Sequence, residues 1–266
     1  MGCLAEWDAM KEPDAESPAG LHAKRTEEAA PGLTKQDDSD EMLVLFDIDD
    51  TLLDEASAKR VAAAALHSHV RVHSHVDEFV RLWTDVSERH YARYLRGEVD
   101  FQGQRRARVH EAVDRTLSDA DADDLFASYL RSYEDAWAPF SDVTDCLQAL
   151  SGRHRLGVVS NGDAVQQRLK LEKLGIAHYF ECTVVSDDIG CRKPAPRIFL
   201  EPCSRLRTSP EQALYVGDRY EIDVLGARAA GLTGVWLDRQ GLRAGHHLPP
   251  IISSLDDLRS LLARHR

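Results

Sequence analysis

The short run Met42-Leu43-Val44-Leu45-Phe46, breaking directly into Asp47-Ile48-Asp49-Asp50-Thr51, constrains the fold more than any other stretch of this chain. An apolar run without polar alternation predicts a strand buried on both faces, as in parallel sheets covered by helices. Ligands of open α/β sheets sit beyond the carboxyl ends of such strands, so the acidic cluster falls in the expected crevice. Spacing of two in extended backbone sends the Asp47 and Asp49 side chains to one face. Two carboxylates held that close repel, and a divalent cation is their natural counter-charge. A capped turn would use the same residue types, because Asp and Thr both favour loops. The rest of the chain decides between the two.

Helical spacing of Ala and Leu runs through 56–75, 76–96, 104–117 and 121–137, which predicts a small bundle without strands. After Pro139 strands and helices alternate. Strands are expected at 155–159, 180–185, 213–216 and 233–237, with helices at 163–174, 196–207, 221–230 and 256–264. The fold class that follows is α/β, a doubly wound, Rossmann-like parallel sheet core with an inserted α-helical bundle cap. The core takes residues 42–54 and 140–266, and the cap takes 55–139. Residues 1–41, with Pro13, Pro18 and Pro31 and few large aliphatics, read as a disordered acidic tail.

Three more strand ends carry polar clusters. Ser160-Asn161-Gly162 offers a hydroxyl and free amides at a helix start, an anion-binding arrangement. Cys191-Arg192-Lys193-Pro194-Ala195-Pro196 supplies a lysine in a loop held by two prolines, and Gly217-Asp218-Arg219-Tyr220-Glu221-Ile222-Asp223 adds two carboxylates. In this order the four clusters resemble the motifs of the haloacid dehalogenase (HAD) superfamily, over residues 42 to about 240. The helical insertion after the first strand resembles that family's cap.

The resemblance implies a phosphatase with Mg²⁺ as cofactor. Asp47 would be the nucleophile that forms an aspartyl-phosphate, and Asp49 the acid and base. The metal would be held by the Asp47 side chain, the Asp49 backbone carbonyl and Asp218, with Asp223 ligating or orienting that shell. Ser160 and Asn161 would grip phosphate oxygens, Lys193 would neutralise Asp47 and the transferring group, and Thr51 would fix the turn. Asp49 also separates phosphatases from the dehalogenases of this fold, which have no acid two residues after the nucleophile. Asp50 departs from the pattern, standing where a glycine is often found.

Substrate choice is expected to lie in the cap, where Gln104 and Arg105 are candidate substrate contacts and Phe101 a pocket wall. His67, His69, His73 and His75 read as a solvated face rather than a metal site, and the acidic run 119–124 as a helix start. Five scattered cysteines form no CxxC pair, so reduced thiols and a cytoplasmic setting are expected. No run reaches the roughly 18 apolar residues of a membrane span. The net charge of −12 argues against nucleic acid as partner, although residues 1–41 alone carry 11 acidic and 4 basic residues. The expected substrate is a small phosphomonoester such as a sugar or cyclitol phosphate, phosphoglycolate or a nucleoside monophosphate. The chain would act as a monomer or homodimer. A phosphomutase of the same superfamily, or a non-catalytic phosphate-binding scaffold, are the alternatives.

Overall fold

A computed structural model of the chain describes residues 41–70, 75–113, 116–241 and 250–264. The tail expected at 1–41 therefore lies almost wholly outside the described residues, as does His73.

Six parallel strands form one sheet: β1 (Leu43–Phe46), β2 (Arg155–Ser160), β3 (Cys182–Val185), β4 (Ala213–Gly217), β5 (Thr233–Leu237) and β6 (Ile251–Ile252). Their order is β3-β2-β1-β4-β5-β6, with Phe46 of β1 paired to Val158 on one side and Val216 on the other. Every residue of β1 is buried, and its side chains alternate between two apolar layers. Val44 and Phe46 pack with Leu156, Val158, Leu214 and Val216, whereas Leu43 and Leu45 pack with Val159, Phe199 and Tyr215. This is why the run is uniformly apolar: both faces of the central strand are core.

Four helices leave the chain between β1 and the rest of the sheet: α1 (Glu55–Val70), α2 (Val76–Leu95), α3 (Phe101–Ala112) and α4 (Asp119–Asp135). They bury an apolar cluster of their own, centred on Phe79, Trp83, Phe126 and Tyr129. Trp83 stacks on Phe79 at 6.3 Å and tilts against Tyr129 at 4.7 Å between ring centroids. The segments entering and leaving this bundle run side by side, with Asp54 N donating to Ala138 O and Phe140 N to Leu52 O. The bundle is thus anchored immediately after the Asp47–Thr51 turn.

Several boundaries differ from the sequence reading. Helix α3 begins at Phe101 rather than 104, because Asp100 caps it by accepting from Gly103 N at 2.6 Å. The acidic run is a helix start, as read: Ser118 and Asp121 form a capping box for α4. The helix expected at 221–230 is two pieces, a π turn over Tyr220–Val224 followed by α9 (Leu225–Ala229). Helix α5 (Val143–Ser151) and the two-residue β6 went unread; the helix is short and the strand shorter than any pattern window.

The remaining core helices are α6 (Ala164–Lys173), α7 (Ser186–Ile189), α8 (Pro196–Leu206) and α10 (Asp256–Arg264). Asp142 ties the carboxyl-terminal region to the segment leaving the bundle, accepting from Arg239 at 2.8 and 3.0 Å, from Ser254 Oγ at 2.7 Å and from Leu255 N at 2.8 Å.

Trp83→Ala should remove the centre of the bundle's core at a cost of about 3–5 kcal/mol. Urea unfolding followed by far-UV circular dichroism measures it; a loss under 1 kcal/mol would mean the bundle does not depend on this ring.

Candidate active site

The order β3-β2-β1-β4-β5-β6 places the topological switch between β1 and β4, and the loops after these strands open there. Asp47 N donates to Val216 O at 3.0 Å, which sets the Asp47 loop against the loop that carries Asp218. The carboxylates of Asp47, Asp218 and Asp223 converge, with one oxygen of each lying within 4.8 Å of the others.

One buried cation faces them. Lys193 Nζ lies 2.7 Å from Asp47 Oδ1 and 2.8 Å from Asp223 Oδ1. It also donates to the Tyr215 hydroxyl at 2.9 Å, and that hydroxyl donates to Val159 O. Burial by itself would lower the lysine's pKa, but Asp223 and Asp47 raise it, so it stays charged. Asn161 holds the lysine's backbone from both sides: its Oδ1 accepts from Lys193 N at 2.8 Å and its Nδ2 donates to Lys193 O at 3.1 Å.

A single lysine does not balance three carboxylates. Asp218 is pushed up to about 8, by burial first and then by Asp47 and Asp223, and its Oδ1 is buried with no hydrogen-bond partner. Burial and the neighbouring carboxylates likewise push Asp47 up, against the pull of Lys193. Excess negative charge and an orphaned buried oxygen are what a divalent cation would satisfy, so this donor set fits one. Asp223 differs from the other two. Its Oδ1 accepts from Lys193 and its Oδ2 from Arg219 N at 2.9 Å, which suits an orienting role. The π turn brings Asp223 back under Gly217, where a Cβ would sit 2.5 Å from its carboxyl carbon.

Asp49 belongs to a second network. It accepts from Lys170 Nζ at 2.5 Å and from Gln167 Nε2 at 3.0 Å. Gln167 also donates to Ser160 Oγ at 2.7 Å, joining Asp49 to the Ser160 loop. Lys170, itself buried, lies 3.6 Å from Glu55 at the start of α1, and Glu55 further accepts from Tyr133 OH and Lys59. Gln167 and Lys170 escaped the sequence reading although a signal existed. Ala164, Gln167, Lys170 and Leu171 form the buried stripe of α6, so two polar side chains stand where an apolar face is expected.

The other candidates fall in different places. Thr51 is buried under the Asp47 turn, its hydroxyl without a partner and its carbonyl accepting from Arg239 at 3.0 Å. Asp50 explains the departure from glycine: its φ is 54°, and its side chain accepts from Ala56 N at 2.9 Å. Gln104 is buried inside the bundle, whereas Arg105 lies over the Phe101 and Phe126 rings at 4.2 and 5.0 Å. His75 caps α2 and His67 packs against Phe79, while Asp47, Asp218 and Asp223 form the one metal-competent cluster among the described residues. A cavity of about 770 Å³ beside Met42, His154, Leu214 and Thr233 lies at the amino ends of the strands, away from all these groups.

The family profile for haloacid dehalogenase-like hydrolases matches residues 41–231. The chain belongs to that family. It is 36% identical over 201 residues to the glyceraldehyde 3-phosphate phosphatase of Methanopyrus kandleri, covering 74% of this chain and 83% of the relative. Among solved structures it is similar to the HAD-hydrolase YfnB of Bacillus subtilis, solved with magnesium bound (TM-score 0.71, 24% identity, 84% and 98% of the two chains). It is also similar to a 2-haloacid dehalogenase from Pseudomonas syringae (TM-score 0.61, 28% identity, 85% and 100%). Within the superfamily it is a phosphatase, a phosphoric monoester hydrolase.

Two consequences can be checked. Asp47 and Asp218 are raised in the folded chain above their unfolded values, so their ionisation destabilises the metal-free protein above the folded pKa and is relieved as pH falls through it. Metal-free protein should therefore melt at higher temperature at pH 6 than at pH 8, and added divalent cation should raise Tm more at pH 8. An equal shift at both values would contradict the raised pair. Separately, Gly217→Ala should drive the Asp223 carboxylate from Lys193 and lower kcat by about tenfold or more, at the scale of a lost charged hydrogen bond. Unchanged kcat in steady-state kinetics would show that the loop yields freely.

Proposed function

We propose that the chain is a Mg²⁺-dependent phosphatase of small phosphomonoesters that works through an aspartyl-phosphate. The observation that carries this reading is the pairing of two carboxylates after β1 in different settings. Asp47 points into the acidic, lysine-bearing cluster, and Asp49 is held apart from it by Lys170 and Gln167. Asp47 attacks phosphorus while Asp49 protonates the departing alkoxide. In the second step Asp49 takes a proton from water, which attacks the acyl-phosphate and frees inorganic phosphate and Asp47. Lys193 keeps positive charge beside the transferring group in a buried site, where such charge counts most. Ser160 and the amides of its loop receive phosphate oxygens. Asp47, the Asp49 carbonyl and Asp218 would hold Mg²⁺, which when bound supplies electrostatic stabilisation of the phosphoryl oxygens.

Asp49 favours a phosphatase over a dehalogenase, because a halide leaves without a proton and an alkoxide needs one. A helical cap fastened directly after the Asp47 turn favours small substrates, and the relative named for glyceraldehyde 3-phosphate makes a three-carbon phosphate a sensible first assay.

Asp47→Asn should abolish phosphate release with the fold intact. Asp49→Asn should lower kcat about 10²- to 10⁴-fold for an alkyl phosphate and much less for p-nitrophenyl phosphate, whose leaving group needs little protonation. Equal losses on the two substrates would remove Asp49 from the role of acid.

A further inference from the structure

Gln167 sits near the start of α6, where its backbone N donates to Asp163 O at 3.0 Å. Its side chain is buried and folds back against the Ser160-Asn161-Gly162 loop. Gly162 leaves the space for it. This residue has a φ of 140°, and a Cβ built on it would lie 3.3 Å from Gln167 Cδ and Cγ. One amide nitrogen then meets three acceptors: Ser160 Oγ at 2.7 Å, Asp49 Oδ2 at 3.0 Å and Asn161 O at 3.2 Å. The Asn161 carbonyl can only accept, and Asp49 faces Lys170 as an acceptor as well. The amide therefore has to present its NH₂, not its oxygen, to this corner.

That orientation acts on both partners. The Ser160 oxygen is occupied as an acceptor, and its own O–H reaches Asn161 O at only 3.4 Å, too long for a strong bond. The hydroxyl hydrogen is thus left for an incoming oxyanion. On the other side Gln167 holds Asp49 Oδ2 while Lys170 holds Oδ1, so the carboxylate is pinned at two points although it stays partly exposed.

We propose that Gln167 is a positioning residue that serves two steps of recognition with one amide. It aims the Ser160 hydroxyl at the phosphoryl group, and it holds Asp49 in place to protonate the leaving oxygen. Glutamine suits the task by length and by chemistry. Asparagine is one methylene short of this reach, and glutamate would set an acceptor against acceptors. The inference rests on the phosphatase reading of Asp49 and Ser160 and deepens it.

Two aryl phosphates of similar shape separate the two effects. The ratio kcat/KM covers the steps up to departure of the leaving group, so it reports Asp49 as acid and not as base. Phenyl phosphate expels a more basic oxygen than p-nitrophenyl phosphate and depends more on that acid. Gln167→Met, of similar size but unable to donate, should lower kcat/KM for phenyl phosphate by about tenfold more than for p-nitrophenyl phosphate. It should also raise the inhibition constant of inorganic phosphate about three- to tenfold, the scale of one net hydrogen bond. In a Ser160→Ala background the same substitution should change phosphate inhibition less than about twofold, because the hydroxyl it directs is already gone. A residue that only stabilised the loop would slow both substrates alike and weaken phosphate equally with or without the hydroxyl. Either result would overturn the proposal. Gln167→Glu keeps the length and should show the same split between substrates. Loss of the folded circular dichroism spectrum in both Gln167 variants would make the residue structural and overturn the proposal too. Hydrolysis of neither substrate by the Mg²⁺-saturated wild-type protein would overturn the phosphatase reading and this inference with it. Wild-type turnover with no split in the variants would overturn this inference alone.

Discussion

Everything in the core is arranged around an electrostatic deficit: three carboxylates beyond the ends of β1 and β4, Asp47 and Asp223 buried and Asp218 half-buried, and one lysine to face them. Such a cluster is unfavourable without further positive charge, because the low-dielectric interior magnifies repulsion as much as attraction. The fold tolerates it through rigid surroundings. Lys193 is fixed at its backbone by Asn161 and at its ammonium by Tyr215, so it cannot turn to favour one carboxylate alone. Asp223 is locked by Arg219 N on one oxygen and by Lys193 on the other. What remains free is Asp218 Oδ1, and that is the atom through which a cation would complete the charge balance.

The local backbone follows from this constraint. Asp223 has to reach back over Gly217 within six residues of the strand end, and the π turn supplies that path while the missing Cβ supplies the room. The Asp47 loop makes its sharp turn at Asp50, which takes a left-handed conformation that most residues resist and secures it with a hydrogen bond to the first turn of α1. The start of the cap is therefore fastened to the same turn that positions the nucleophile.

Much of this was legible in the sequence, and the reason is geometric. Asp47, Asp49, Asp218 and Asp223 sit within a few residues of strand ends, so strand prediction alone brings them to one edge of the sheet. The uniform apolar character of β1 likewise announced burial on both faces, and the structure puts its alternate residues in separate layers. Lys170 and Gln167 are marked in the sequence only by their place on the apolar stripe of α6, and their role is hidden for the opposite reason. They lie in mid-helix, and their importance depends on α6 packing its polar residues against a loop more than a hundred residues away. Gln104 and Arg105 looked equivalent as neighbours at a helix start. Once Asp100 caps the helix and shifts its first turn, Gln104 turns into the bundle and Arg105 onto the aromatic face.

Lys170 also shows how cap and core share one electrostatic unit. Its ammonium contacts Asp49, which belongs to the core turn, and Glu55, which begins the cap. Glu55 is pushed up by burial but pulled well below its ordinary value by Lys170 and Lys59, so it stays ionised and keeps its hold on Lys170. Tyr133, near the end of α4, donates to the same carboxylate, and the Lys170 ammonium lies 5.8 Å from the Tyr133 and Trp137 rings. The segments entering and leaving the bundle thus both approach one lysine, and that lysine holds the residue assigned as acid and base. Lys170 therefore ties the residue assigned as acid and base to the first turn of the helical bundle through charge at a single buried side chain.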